Sequence, residues 1–250
     1  DGLDPDDVRS LHLAWAGQLA SRAAPEHLML WHEARGGRLE GIAEKAVSAT
    51  RRLRALGELA EAERLLDAVI SALGRRHPRA PEVIVDLADV LVQMGRPRQA
   101  LRQMQGVAPG VAYGQLVRAQ ALAATGAREE AVELLRRMQD ERGLGAEGGP
   151  TCLLQELALQ LAHLGRIEEA SEAIREGLSQ ETNSEAPARA QLLATRAQCH
   201  LARDMLDDAL ADAVEALRIA RRAHDGRLHV RARWLLAMVH QRRGDLHEAS

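Results

Sequence analysis

The stretch that decides the fold runs from Glu82 to Ala100, EVIVDLADVLVQMGRPRQA. Ile84, Leu87, Ala88 and Leu91 recur at the i, i+3, i+4, i+7 spacing of an amphipathic helix, so one stripe of that helix must be buried. Gly95 then stops the helix, because glycine adopts the left-handed conformation that other residues resist. Five residues after it comes Ala100, on the inner side of a second helix where a larger side chain would push the pair apart. The unit is a helix, a turn and a helix, closed by small residues.

The same frame recurs along the chain. Gly57 precedes Ala62, Gly126 precedes Ala131, Gly165 precedes Ala170 and Gly244 precedes Ala249, while Asp204 stands in the glycine position ahead of Ala209. Seven residues before each turn sits a small residue: Thr50, Ala88, Ala119, Ala158, Ala197 and Ala237. Four before it come Leu53, Leu91, Leu122 and Leu161, replaced by His200 and His240 in the last two units. Small residues in the middle of a first helix let its neighbour approach closely. A single pair cannot bury both of its faces, so stacking of successive pairs must supply the core.

These residues resemble the tetratricopeptide repeat, over Ala43 to Ser250. The resemblance implies an all-α fold, a right-handed superhelical solenoid of antiparallel helix pairs. Successive turns stand 38, 31, 39, 40 and 40 residues apart, mostly longer than the usual ~34, as in the long repeats of bacterial maltose-activator-like regulators. The expected organisation is a helical capping segment over residues 1–42, then six repeats over 43–250 with the last one truncated. Turn-rich stretches separate the units at His77–Pro81, Val107–Val111, Gly143–Pro150, Glu181–Ala188 and His224–Gly226. Gly143–Pro150, GLGAEGGP, is the expected flexible joint.

Ahead of Ala43 the frame is absent. Val8, Leu11, Trp15 and Leu19 give one apolar helical face; Pro25 suits the first turn of a second helix through Leu28 and Trp31, which Gly36-Gly37 ends. This order resembles the junction at which STAND-type signalling ATPases pass into their repeats. It also suits a plain cap over the open face of the first repeat.

Composition agrees and removes several functions. The chain is 46% hydrophobic and 28% charged, with three Trp, one Tyr and no Phe, so its core is aliphatic. A net charge of −3 gives no reason to expect direct nucleic-acid binding. Cys152 and Cys199 are too few and too far apart for a disulfide framework or a zinc site, which points to a reducing cytoplasm. No apolar run reaches the roughly 18 residues that span a bilayer. The chain opens at Asp1 and stops at Ser250 inside a helical pattern, the expectation for a piece of a larger protein.

Catalytic motifs are missing. The only lysine, Lys45, lies in a helical IAEKAV context, which removes a P-loop and a kinase strand lysine, and neither His-Glu-x-x-His nor Gly-x-Ser-x-Gly occurs. His200 and His240 hold equivalent places in adjacent repeats; they read as neutral residues filling inter-helix space, the alternative being a metal or proton-sensing pair. Cys199 precedes His200 by one residue and points a third of a turn away, a poor chelate. Glu129-Glu130, Glu168-Glu169 and Asp207-Asp208 follow the turns and suit the positive ends of helix dipoles. No catalytic residue, cofactor or metal is expected.

The resemblance implies that first helices line a concave groove, with residues six and ten before each turn projecting into it. That assigns Arg51, Asp89, Gln120, Leu159, Gln198 and Met238 to one row, and Val47, Val85, Leu116, Gln155, Ala194 and Trp234 to the other. Amides and aliphatics dominate, unlike the Lys, Arg and Asn of repeats that clamp acidic chaperone tails. The expected partner is a protein or peptide in the groove, together with other domains of the parent chain, without a membrane. The expected role is the sensor or scaffold of a larger bacterial signalling or regulatory protein. The alternatives are a stand-alone adaptor or the substrate-recruiting arm of an attached kinase or protease.

Overall fold

In the computed structural model, residues 4–108, 112–141 and 150–245 are described. They form thirteen helices, and no strand occurs among the described residues. The helices fall into two compact units, Asp1–Gly126 and Ala127–Ser250. Unit 1 contains α1 (Pro5–Ser21), α2 (Glu26–Arg35), α3 (Ile42–Leu56), α4 (Leu59–Leu73), α5 (Ala80–Gln93), α6 (Pro97–Gln103) and α7 (Ala112–Ala124). Unit 2 contains α8 (Arg128–Glu141), α9 (Pro150–His163), α10 (Ile167–Gln180), α11 (Pro187–Ala202), α12 (Leu206–Arg222) and α13 (Gly226–Arg243). Pro109–Val111, most of the expected joint at Gly143–Pro150, and Ala249 lie outside the described residues.

The expected turn recurs with the same hydrogen bonds. Gly57, Gly95, Gly126, Gly165 and Gly244 all have positive φ, and Asp204 takes the same left-handed slot at φ 61°. The amide after the turn donates back to the carbonyl four residues before it: Glu58 to Leu53 at 2.9 Å, Arg96 to Leu91 at 2.8 Å, Arg166 to Leu161 at 2.9 Å, Met205 to His200 at 2.9 Å and Asp245 to His240 at 2.9 Å. This closure satisfies carbonyls that the helix end would otherwise orphan. Asp204 is tolerated there because a short polar side chain visits the left-handed region at moderate cost.

Packing follows the frame. Ala88, Ala119, Ala158 and Ala197 are fully buried on first helices, and Ala62, Ala100, Ala131, Ala170 and Ala209 are fully buried on second helices. Within unit 1, first helices α3, α5 and α7 pack in succession, with α4 and α6 beside them. Within unit 2, α9, α11 and α13 do the same, flanked by α10 and α12. Leu65, Leu66, Leu87 and Leu91 fill unit 1; Ile174, Leu192, Ile219 and Leu235 fill unit 2. Each stabilises its unit by roughly 1.5–3 kcal/mol relative to an exposed position. At Gly177 a Cβ would meet Leu192 at 2.9 Å, so α10 and α11 approach closely there.

The uneven spacing of the turns has a local cause. α6 has 7 residues, whereas α4, α8, α10 and α12 have 15, 14, 14 and 17, which accounts for the short interval between Gly95 and Gly126. Acid–arginine pairs tie adjacent repeats together at the surface, Arg79 to Glu44 at 2.9 Å and Arg96 to Glu63 at 2.7 Å, and Arg218 of α12 pairs with Glu185 in the linker before α11 at 2.8 Å. Each such exposed pair contributes about 0–1 kcal/mol.

The N-terminal pair differs from the expectation in one respect. α1 packs against α2, which in turn packs on α3 and α4. The apolar stripe is only partly covered: Val8 and Leu19 are half-buried, while Leu11 is 50% and Trp15 51% exposed. Ala16 and Leu13 face α2 instead, Leu13 seated where a Cβ on Gly36 would clash at 2.6 Å. The His12 and His32 Nδ1 atoms lie 2.9 Å apart between the two helices.

Two substitutions separate backbone strain from packing. Nothing lies within 4 Å of a Cβ built on Gly95, so Gly95→Ala is expected to cost about 1 kcal/mol through φ alone, and Asp204→Gly to be neutral or stabilising, both read from denaturant midpoints. Equal losses from the two would contradict the shared turn. Ala158→Leu and Ala170→Leu are expected to cost about 1–3 kcal/mol by overpacking, measured the same way.

Candidate partner-binding surface

In unit 1 the expected groove residues separate. Arg51 is exposed and Gln120 is half-buried. Asp89, expected to project into open groove, is only 5% exposed. Its carboxylate accepts from Gln93 Nε2 at 3.0 Å and from the Tyr113 hydroxyl, and pairs with the Arg54 guanidinium. Arg54 comes from the preceding repeat and Tyr113 from the following one, so the acid is closed over from both sides. One turn earlier on α5, Asp86 is also 5% exposed, and its Oδ2 has no hydrogen-bond partner.

Burial pushes the Asp86 carboxyl up to about 6, against the pull of Arg54 and Arg51 and with the help of Asp89 and Glu82. The Tyr113 hydroxyl is likewise raised, first by burial and then by Asp89. Arg54, Tyr113 and Asp86 were not picked out from the sequence. The available signal was two acids three residues apart inside the apolar run VIVDLADV, a pattern that demands buried partners.

In unit 2 the residues come together on α9, α11 and α13. Gln155 and Leu159 are half-buried, as is Gln198, and the Gln155 amide donates to Gln191 one repeat on. Arg231 reaches from α13 to α11, donating to Thr195 Oγ1 at 3.0 Å and Gln198 Oε1 at 3.5 Å. Trp234, one turn further along α13, is 55% exposed, with Val230 beside it at 67%. Met238 is half-buried and packs on the core of unit 2. The surface is therefore a row of neutral amides with an exposed indole at one end and one recessed guanidinium in its floor.

The remaining candidates have structural neighbours. Asp212 accepts two hydrogen bonds from Arg196, both 2.7 Å, and stands 3.6 Å from His200 Nε2. His240 Nδ1 is 3.9 Å from Asp245. Cys199 is buried and its thiol is pushed up by that burial. Among the described residues no three His, Cys, Asp or Glu side chains cluster to hold a metal ion, and no described helix is long and apolar enough to cross a membrane.

With the helix pairs and their turns in place, the fold is an α-α solenoid of stacked antiparallel pairs. Residues 85–105 and 230–250 match the tetratricopeptide-repeat family model, the first covering α5 from Val85 onward, its turn and α6. A thermophilic tetratricopeptide-repeat protein of Thermus thermophilus is similar in structure, with a TM-score of 0.61 and 24% identity over 78% of this chain and 98% of its own. A putative kinesin light chain with tetratricopeptide-like repeats from Podosopora anserina gives 0.56 and 22%, over 75% and 97%. A tetratricopeptide-repeat protein of Parabacteroides merdae gives 0.57 and 13%, over 90% and 99%. No curated protein sequence matches the chain.

The pH dependence of unit 1 follows from Asp86. Its folded pKa of about 6 lies above the ordinary aspartate value of 3.8, so its contribution is fully present below the lower value and is lost as pH rises through the higher one. Asp86→Asn removes that loss. The variant is expected to gain on the wild type as pH rises from 4 to 7.5, by at most about 3 kcal/mol, in denaturant melts taken at several pH values. A gap that stays constant with pH would contradict the reading.

Proposed function

We propose that the chain is a docking module whose first-helix surface receives a protein or peptide partner, and that it serves as the sensor or scaffold part of a larger signalling or regulatory protein of the bacterial STAND type. The observation that carries this reading is the surface of α9, α11 and α13. Gln155 and Gln198 offer amides that both donate and accept, Leu159 offers an apolar wall, and Trp234 stands 55% exposed at one end. Paired amides and an exposed indole suit the main chain and an anchoring side chain of a bound segment. Residues 1–42 serve as the cap of the first repeat, with repeats over 43–250, in a cytoplasmic protein. Any chemistry of the parent protein belongs to other segments of it.

Alternatives that make these residues structural predict no binding loss on their removal. Octapeptides selected from a random display library against this chain are expected to bind at α9, α11 and α13. Trp234→Ala is expected to weaken the selected peptides about thirtyfold or more in calorimetric titration, the loss near 2 kcal/mol typical of a hot spot. A library that yields no binder, or binders indifferent to Trp234 and Gln198, would overturn the reading.

A further inference from the structure

The two N-terminal helices meet through a pair of histidines that can share one proton but cannot both carry one at the contact. His12 on α1 and His32 on α2 are half-buried, with their Nδ1 atoms 2.9 Å apart and their ring centroids at 5.0 Å. At that distance one nitrogen has to donate and the other to accept. Two neutral rings can do so, and so can one neutral ring and one imidazolium. Two imidazoliums leave facing N–H groups, no acceptor and two like charges. Aromatic neighbours flank the pair: Trp31 meets both rings edge-on, at 5.4 Å from His12 and 4.9 Å from His32, and Trp15 stacks on His32 at 6.2 Å.

The surrounding charges disfavour the second proton. Arg9 stands one turn before His12 on α1, and Arg35 one turn after His32 on α2, over the Trp31 ring at 5.3 Å. The acids on these helices and on the two that pack against α2 are engaged by arginines. Asp6 pairs with Arg9 at 3.4 Å, Glu33 with Arg38 at 3.0 Å, Glu26 with Arg52 of α3, and Glu61 with Arg64 within α4. Glu61 and Arg64 line one cleft with His27 and His32, so the charge that α4 brings there is already balanced. Burial first, and then His12, lower the pKa of His32. α1 packs on α2 and, among the described residues, on no other helix. Its hold comes from Ala16, from Leu13 seated at Gly36, and from the histidine pair.

We infer that His12 and His32 form a proton-operated latch, which holds α1 on α2 while one ring can accept and releases α1 when both are protonated, uncovering the α2 face at Gly36. The latch is independent of the docking surface in unit 2. Its two protonation steps belong to the pair and not to either ring. The latch is closed above the ordinary histidine value of about 6.5, and it opens as pH falls through the second, lower step. Asp86 works in the opposite sense, because its carboxyl is pushed up and its protonation favours the fold. Acid therefore frees α1 while α3, α4 and α5 stay packed.

The test is an NMR titration of the whole chain from pH of about 7.5 down to about 4.5, across the ordinary histidine range. Two signals are followed together: the histidine Cε1 protons, which report protonation, and the cross-relaxation between Leu13 methyls and Gly36, which reports docking of α1. The expected result is two separated histidine steps, with the Leu13–Gly36 signal lost along the lower one and the signals between α3, α4 and α5 retained. His12→Asn and His32→Asn each keep an amide that accepts from the remaining imidazolium, so both variants are expected to stay docked at the acid end. Should either variant fail to dock at neutral pH, the wild-type titration decides alone. A wild-type signal that survives full protonation of both rings, one that fades along the upper step, or one lost at the same pH in a variant that docks would overturn the latch.

Discussion

Everything else in the chain depends on the way each first helix ends. A left-handed residue turns the backbone, and the next amide donates to the carbonyl four residues before the turn, at 2.8–2.9 Å in five of the units. That bond fixes where the second helix starts, and therefore which of its faces meets the first. Ala62, Ala100, Ala131, Ala170 and Ala209 are fully buried because the turn delivers them to the closest point of the pair. The aliphatic core, the succession of first helices and the surface they present all follow from it.

With so few aromatic residues, close approach replaces bulk as the source of core contact. Alanine on both helices lets dispersion contacts accumulate between backbones. Polar residues then fill what alanine leaves. Asp89 joins three successive repeats of unit 1 through Arg54 and Tyr113, and Arg231 joins two in unit 2 through Thr195 and Gln198. These links lie on the first-helix layer, where a partner would sit, so the same residues that hold neighbouring repeats in register also set the polarity of the surface.

The repeat frame was legible because it is local: Gly95 and Ala100 are five residues apart, and even Asp204 could be placed in the glycine slot from the residues around it. The burial of Asp89 was not, because its partners Arg54 and Tyr113 lie 35 and 24 positions away and neither repeat position marks them. Arg231 escaped notice for the same reason. On α1 the apolar stripe marked a face but not its coverage: Val8 and Leu19 are half-buried and Leu11 and Trp15 exposed, while Leu13, outside the stripe, seats against Gly36. Periodicity gives the face that prefers burial, while a single close contact between helices decides the face that achieves it. Likeness to solved solenoids carries the fold, and the partner has to be read from side chains.

The most direct measurement of the central claim, that first helices form the binding surface, is amide hydrogen exchange of the whole chain with and without a selected peptide. The account predicts added protection in α9, α11 and α13, greatest near Gln198 and Trp234, with α10 and α12 little changed. Protection confined to α10 and α12, with the first helices untouched, would contradict it.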